Sequence, residues 1–248
     1  MPHDPWRMGF HLMPPVGWLN DPNGLCQIDG TYHVFHQYSP DWPKPDAPRG
    51  WGHFASDDLV HWQGGNRGFA IAPDTPDEAS GAYSGCAVPT ETGVRFYYTG
   101  NVKEAGSFDY VRDGRRSVQI LVESPDGYQM GEKNVLLRNA DYPAFCTRHV
   151  RDPKVWREGG TWWMILGARD LYDRGLVLAL RSDDGLAWEN AGTVRTAEPF
   201  GFMWECPDRV TLGGREWLSI CPQGMEGRPW SFGQRDGAGY VPCRRGRA

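Results

Sequence analysis

A glycine turn opening into an aromatic and β-branched run occurs four times along this chain, and it restricts the possible fold more than any other feature. The copies read Asp29-Gly30-Thr31-Tyr32-His33-Val34-Phe35, Thr92-Gly93-Val94-Arg95-Phe96-Tyr97-Tyr98, Gly159-Gly160-Thr161-Trp162-Trp163-Met164-Ile165 and Gly213-Gly214-Arg215-Glu216-Trp217-Leu218-Ser219. Each predicts a β-hairpin entering a buried strand. Gly30, Gly93, Gly160 and Gly214 lie 63, 67 and 54 residues apart, which is room for one four-stranded propeller blade with generous loops per copy. A second echo, Ser56-Asp57-Asp58-Leu59-Val60-His61-Trp62 against Ser182-Asp183-Asp184-Gly185-Leu186-Ala187-Trp188, suggests the same outer hairpin in two blades. With 32 Gly, 20 Pro and 13% aromatic residues, the expected class is all-β in a single domain, residues 1–248.

The repeat also aligns acids. Asp21 and Ser84 each lie 9 residues before the glycine of their copy, Asp152 lies 8 before Gly160, and Glu205 lies 9 before Gly214. Near-equal offsets in repeated blades predict that three carboxylates and a hydroxyl sit at similar heights around one axis. Acids near strand ends are more often solvated turn residues, but these are embedded among Trp, Pro and Cys. In Gly17-Trp18-Leu19-Asn20-Asp21-Pro22-Asn23-Gly24-Leu25, Pro22 removes a donor and restricts Asp21 toward an extended conformation. Such fixing suits a nucleophile; an Asx turn is the alternative. In His149-Val150-Arg151-Asp152-Pro153-Lys154 the adjacent guanidinium should favour ionised Asp152, a charge stabiliser. In Met203-Trp204-Glu205-Cys206-Pro207-Asp208 the longer acid is suited to proton donation. Apolar neighbours and the Asp21 charge should raise its pKa.

Trp18-Leu19-Asn20-Asp21-Pro22-Asn23-Gly24, followed in order by Arg151-Asp152-Pro153 and Glu205-Cys206-Pro207, resembles glycoside hydrolase family 32. The resemblance continues through His33 to Tyr38, Trp51-Gly52-His53, Asp58 to Trp62 and Tyr83 to Ala87, so that it covers roughly residues 9 to 224. It implies a five-bladed β-propeller and hydrolysis of terminal β-D-fructofuranosides such as sucrose, with retention of configuration. It also implies roles: Asp21 as nucleophile, Glu205 as acid and base, and Asp152 holding sugar hydroxyls. Asn20, Gln37, Ser84 and Arg151 would bind fructose, with Trp18, Trp51 and Tyr83 as apolar walls. For Gln37, Ser84, Trp51 and Tyr83, plain packing or turn stabilisation is the alternative. No metal or cofactor is implied.

Two other readings remain open at this point: an inverting propeller glycosidase of arabinanase or xylosidase type, and an inactive carbohydrate-binding fragment. About four blades are accounted for, and family members usually continue into a further blade and a β-sandwich, so the chain is expected to be shortened at its C-terminus. Cys86 and His36 depart from the family pattern. The formal charge of −5, without a basic run, excludes the footprint of nucleic-acid or anionic-membrane binding. The expected partner is therefore a small neutral sugar. The opening Met1-Pro2-His3-Asp4-Pro5-Trp6 lacks a secretory pattern, and the six cysteines are dispersed. Together these features predict a cytoplasmic protein with reduced thiols.

Overall fold

Each expected hairpin forms, and each becomes the inner half of an antiparallel sheet. The computed structural model describes residues 5–65, 68–226 and 236–243. The first sheet runs in the order β1 (Trp18–Ile28), β2 (Thr31–Ser39), β3 (Gly50–Ser56), β4 (Gln63–Gly64). The second contains β5 (Ala82–Thr90), β6 (Gly93–Lys103), β7 (Arg115–Ser124) and β8 (Lys133–Leu137). The third contains β9 (Cys146–Glu158), β10 (Thr161–Asp170), β11 (Gly175–Ser182) and β12 (Glu189–Val194), and the fourth β13 (Met203–Leu212), β14 (Arg215–Gln223) and β15 (Gly239–Pro242). The innermost strands β1, β5, β9 and β13 pack against one another in chain order, so the sheets are four blades around a common axis. Among the described residues no helix is long and apolar enough to cross a membrane.

Cores lie between the blades, which explains the continuous apolar runs in the second strand of each sheet. Successive side chains on a strand point to opposite faces, and a blade between two others buries both. Phe96 and Tyr98 of β6 pack with Phe35 and Trp51 of the first blade. Tyr97, between them in sequence, packs with Met164 and Leu166 of the third. Ile165, between those two in turn, joins Trp204 and Ile220 of the fourth. A one-residue slip would exchange the partners of every one of these side chains.

The Ser-Asp-Asp echo marks a real recurring turn, and the structure adds a third copy. After β3, β7 and β11, the hydroxyls of Ser56, Ser124 and Ser182 donate to Asp58, Asp126 and Asp184. Each Asp then accepts the backbone N–H groups two and three residues further on. The residue after each Asp is left-handed: Leu59, Gly127 and Gly185. Ser124-Pro125-Asp126-Gly127 shares Ser, Asp and Gly with the Ser182 turn but only Ser and Asp with the Ser56 turn, and it lacks the Trp that ends both.

Candidate active site

All four innermost strands are bulged at the same level. The ladder places Asn20-Asp21 opposite the single residue Gln37, Tyr83-Ser84 opposite Thr99, Asp152-Pro153 opposite Leu166, and Cys206-Pro207 opposite Ile220. A bulge leaves an unpaired residue and re-aims its side chain, and Pro153 and Pro207, lacking an N–H, fit there without losing a ladder bond. The near-equal offsets of the acids therefore hide different positions. Asp21 is the second bulge residue of its strand, Asp152 is the first, and Glu205 precedes the bulge.

These strands surround a hollow of about 320 Å³ lined by Trp18, Asn20, Asp21, Gln37, Arg49, Tyr83, Ser84, Arg115, His149, Arg151, Asp152, Glu205 and Gln223. The three acids come together in it, along with six of the seven residues expected to bind the sugar. Trp51 is the exception. It is fully buried against Phe35, Phe96 and Tyr98, and its indole N–H donates to the Tyr83 carbonyl at 2.9 Å. It holds the strand that presents Tyr83 instead of walling the pocket, because its side chain faces the space between blades. Arg49, Arg115, His149 and Gln223 were not anticipated; only His149 stood within a motif, two residues before Arg151.

Every acid is held by a residue from another strand. Ser84 Oγ donates to Asp21 Oδ2 at 2.7 Å, linking the first two blades. Arg151 Nη2 donates to Glu205 Oε1 at 2.7 Å, linking the third and fourth. Asp152 Oδ2 accepts the Cys206 backbone N–H at 3.0 Å, and the Asp152 backbone N–H donates to Thr99 Oγ1 at 3.0 Å. Thr99 is itself fully buried and donates to Gln119 Oε1. The detectable sequence signal for this support is a polar residue inside an apolar strand: Thr99 after Phe-Tyr-Tyr, and Gln119 between Val118 and Ile120.

Two expectations about the acids need correction. The extended conformation expected of Asp21 before Pro22 is not shared by the other residues that precede a proline at the bulges: Asp152 has φ 64° and Cys206 φ 47°, both left-handed. Such a conformation costs of order 1–3 kcal/mol, and the Thr99 and Cys206 bonds flanking Asp152 offset it. Arg151 was expected to keep Asp152 ionised. Its Nε, 3.7 Å away, does pull the carboxyl down, but burial outweighs it and holds the value up at about 6, so the group is ionised near neutral pH by a narrow margin. Glu205 was expected among apolar groups, but its carboxylate is paired with the same guanidinium.

Arg151 also receives support from behind. His149 Nε2 lies 3.0 Å from the Tyr110 carbonyl, which can only accept, so the ring proton sits there and Nδ1 accepts from Arg151 Nη1 at 3.0 Å. Burial, with Arg151 and Arg115 nearby, holds the imidazole down to about 3, so it stays neutral. Among the described residues no group of three or more His, Cys, Asp or Glu side chains is arranged to hold a metal ion. Chemically, the hollow offers one hydroxyl-bound carboxylate, one guanidinium-bound carboxylate and one buried carboxyl to a ligand the size of a sugar ring.

The profile of the N-terminal domain of glycosyl hydrolases family 32 matches residues 11–244. The chain belongs to this family. Sucrose-6-phosphate hydrolase of Escherichia coli is 39% identical over 236 residues, 94% of this chain and 47% of that protein. Among solved structures, the Bombyx mori GH32 β-fructofuranosidase superposes with a TM-score of 0.81 at 31% identity, covering 96% of this chain and 48% of that one. The sucrose-6-phosphate hydrolase of Lactobacillus gasseri gives 0.78 at 33%, covering 89% and 43%. The chain thus spans about half the length of the family 32 relatives it matches, and its four blades correspond to their propeller.

Proposed function

We propose that the hollow hydrolyses terminal β-D-fructofuranosides of sucrose type by double displacement. The observation that carries the reading is the convergence of Asp21, Asp152 and Glu205 from three blades on one cavity of sugar size. It is supported by family membership and by relatives named as sucrose-6-phosphate hydrolases and a β-fructofuranosidase.

In this reading Asp21, aimed by Ser84, attacks the anomeric carbon of the terminal fructose, and the bond to the leaving sugar breaks. Glu205 gives its proton to the departing oxygen, then takes one from the water that resolves the fructosyl ester, so the anomeric configuration is retained. Arg151 bridges Glu205 and Asp152 and holds the pair while charge moves between Glu205 and substrate. Asp152, deeply buried and easily protonated, hydrogen-bonds fructose hydroxyls. Gln37, anchored on the Ala82 carbonyl, and Asn20 take the remaining hydroxyls, with Trp18 and Tyr83 as flat walls.

Incubation with sucrose and, separately, with arabinan tests the assignment. Fructose release from sucrose, lowered by about 10²–10⁴-fold or more in Asp21→Asn and in Glu205→Gln, is expected. Arabinose release without fructose release would reject it, as would near-normal rates in both variants.

A further inference from the structure

The loop joining β6 to β7 is built to hold one carbonyl in place. Asp109 Oδ1 accepts the backbone N–H groups of Val111 and Arg112, and the Tyr110 hydroxyl lies 3.0 Å and 3.2 Å from the Glu104 and Gly106 carbonyls. The loop also reaches the third blade, where the Val111 carbonyl accepts the Arg148 backbone N–H at 2.8 Å. Between these ties Tyr110 is left-handed, with φ 56°. A residue other than glycine seldom adopts that region unless its surroundings impose it, and such outliers gather where a group has to be aimed.

What is aimed is the Tyr110 carbonyl. Tyr110 does not line the hollow, yet its carbonyl oxygen accepts from two residues that do: Arg115 Nε at 3.0 Å and His149 Nε2 at 3.0 Å. With Nε2 committed as a donor, the neutral ring presents only a lone pair at Nδ1, and this accepts from Arg151 Nη1 at 3.0 Å. Arg151 Nη2 in turn donates to Glu205 Oε1 at 2.7 Å. A series of hydrogen bonds therefore runs from a loop of the second blade, through His149 and Arg151 of the third, to the acid of the fourth. The opposite tautomer would set an N–H against the guanidinium and break the series at its middle.

We propose that His149 is a positioning residue for proton donation, anchored by the Tyr110 carbonyl, and that it acts by fixing Arg151 on Glu205. The inference rests on the hydrolase reading for the step it serves. If the guanidinium shifts, Glu205 is no longer held where the departing oxygen needs it, and a misplacement of about 1 Å is enough to cost about 10²-fold in rate.

Sucrose and p-nitrophenyl β-D-fructofuranoside separate this role from general damage, because nitrophenolate departs without a proton whereas the oxygen of a leaving sugar needs one. His149→Phe keeps a ring without an acceptor. It should lower kcat/KM for sucrose by about ten- to a hundred-fold and that for the aryl fructoside by several-fold less. His149→Asn, whose Oδ1 stands close to where Nδ1 stands, should recover most of the loss. Tyr110→Val and Tyr110→Asn remove the ring alike, but only Asn is at home in the left-handed region, so Tyr110→Val should show the sucrose-selective loss and Tyr110→Asn a smaller one. Equal losses on the two substrates, no recovery in His149→Asn, or identical losses in both Tyr110 variants overturns the proposal. The tautomer is read without turnover, by ¹⁵N NMR near neutral pH: Nε2–H with an unprotonated Nδ1 is expected, and a protonated Nδ1 overturns the proposal. A wild-type chain that cleaves neither substrate, with the tautomer as expected, would reject the hydrolase reading and leave the Tyr110 anchor standing.

Discussion

Arg151 Nη2 donates to Glu205 Oε1 at 2.7 Å across the boundary between the third and fourth blades, while Arg151 Nε lies 3.7 Å from Asp152 Oδ2. One side chain thus serves two of the three acids, and His149 fixes its other end. Its exposure is 8%, so the guanidinium cannot be replaced by water without rearrangement.

Removing it should be expensive for a reason that can be isolated. Breaking a buried pair from one side leaves charge uncompensated and costs about 3–5 kcal/mol. Arg151→Met should therefore destabilise the chain by that order in urea unfolding. The same change in an Asp152→Asn, Glu205→Gln background should cost markedly less, because no buried carboxylate is left behind. Equal costs in the two backgrounds would show that the loss is one of packing.

The pH dependence of stability should carry the mark of Asp152. Its native value of about 6 lies above the ordinary 3.8, so the folded state holds the proton more tightly than the unfolded chain does. Its contribution is fully present below about pH 4 and is lost as pH rises through about 6. Relative to Asp152→Asn, wild type should lose about 3 kcal/mol of unfolding free energy between those limits and pH of about 7. Asn tolerates the left-handed conformation of this position, which makes it a clean reference. Parallel stability curves would contradict the raised value.

Thr99 is a positioning residue, since it touches Asp152 only through the backbone. Thr99→Val leaves that N–H buried without an acceptor, at a cost of about 1–3 kcal/mol. It should also lower kcat, whereas Thr99→Ser, which keeps the oxygen, should restore both. A Val variant with unchanged kcat would show that the bulge at Asp152 holds its shape without this bond.

Trp51 and Gly24 form a further test, this time of a structural assignment. A Cβ on Gly24, whose φ is +52°, would come within 2.9 Å of the Trp51 ring. Gly24→Ala should therefore destabilise the chain by about 1–3 kcal/mol. Trp51→Phe should lose about 1 kcal/mol or more with the bond to Tyr83. If Trp51 were a pocket wall, its substitution would raise KM and leave the melting temperature in place.

The fold was legible because a propeller repeats. Four glycine turns with similar spacing identify four hairpins, and proline after Asp21, Asp152 and Cys206 identifies where the inner strands depart from a regular ladder. Less could be read where the deciding contact comes from another blade. The value of Asp152 was misjudged because its neighbour in sequence, Arg151, was visible and its burial was not. Trp51 was misplaced because strand alternation determines which face a residue takes, but not whether that face meets the axis or the next blade. Arg49, Arg115 and Gln223 belong to no repeat position of the motif, so nothing in their local sequence marks them as lining the hollow.

The central claim is that Asp21 and Glu205 act on one fructosyl unit in two successive displacements. Its most direct test uses sucrose labelled with ¹³C at the anomeric carbon of fructose, in water containing methanol, followed by ¹³C NMR. The account predicts methyl β-fructofuranoside as the first methanolysis product, with its formation abolished in Asp21→Asn. Methyl α-fructofuranoside as the first product, or a product still formed at the normal rate by Asp21→Asn, would contradict it.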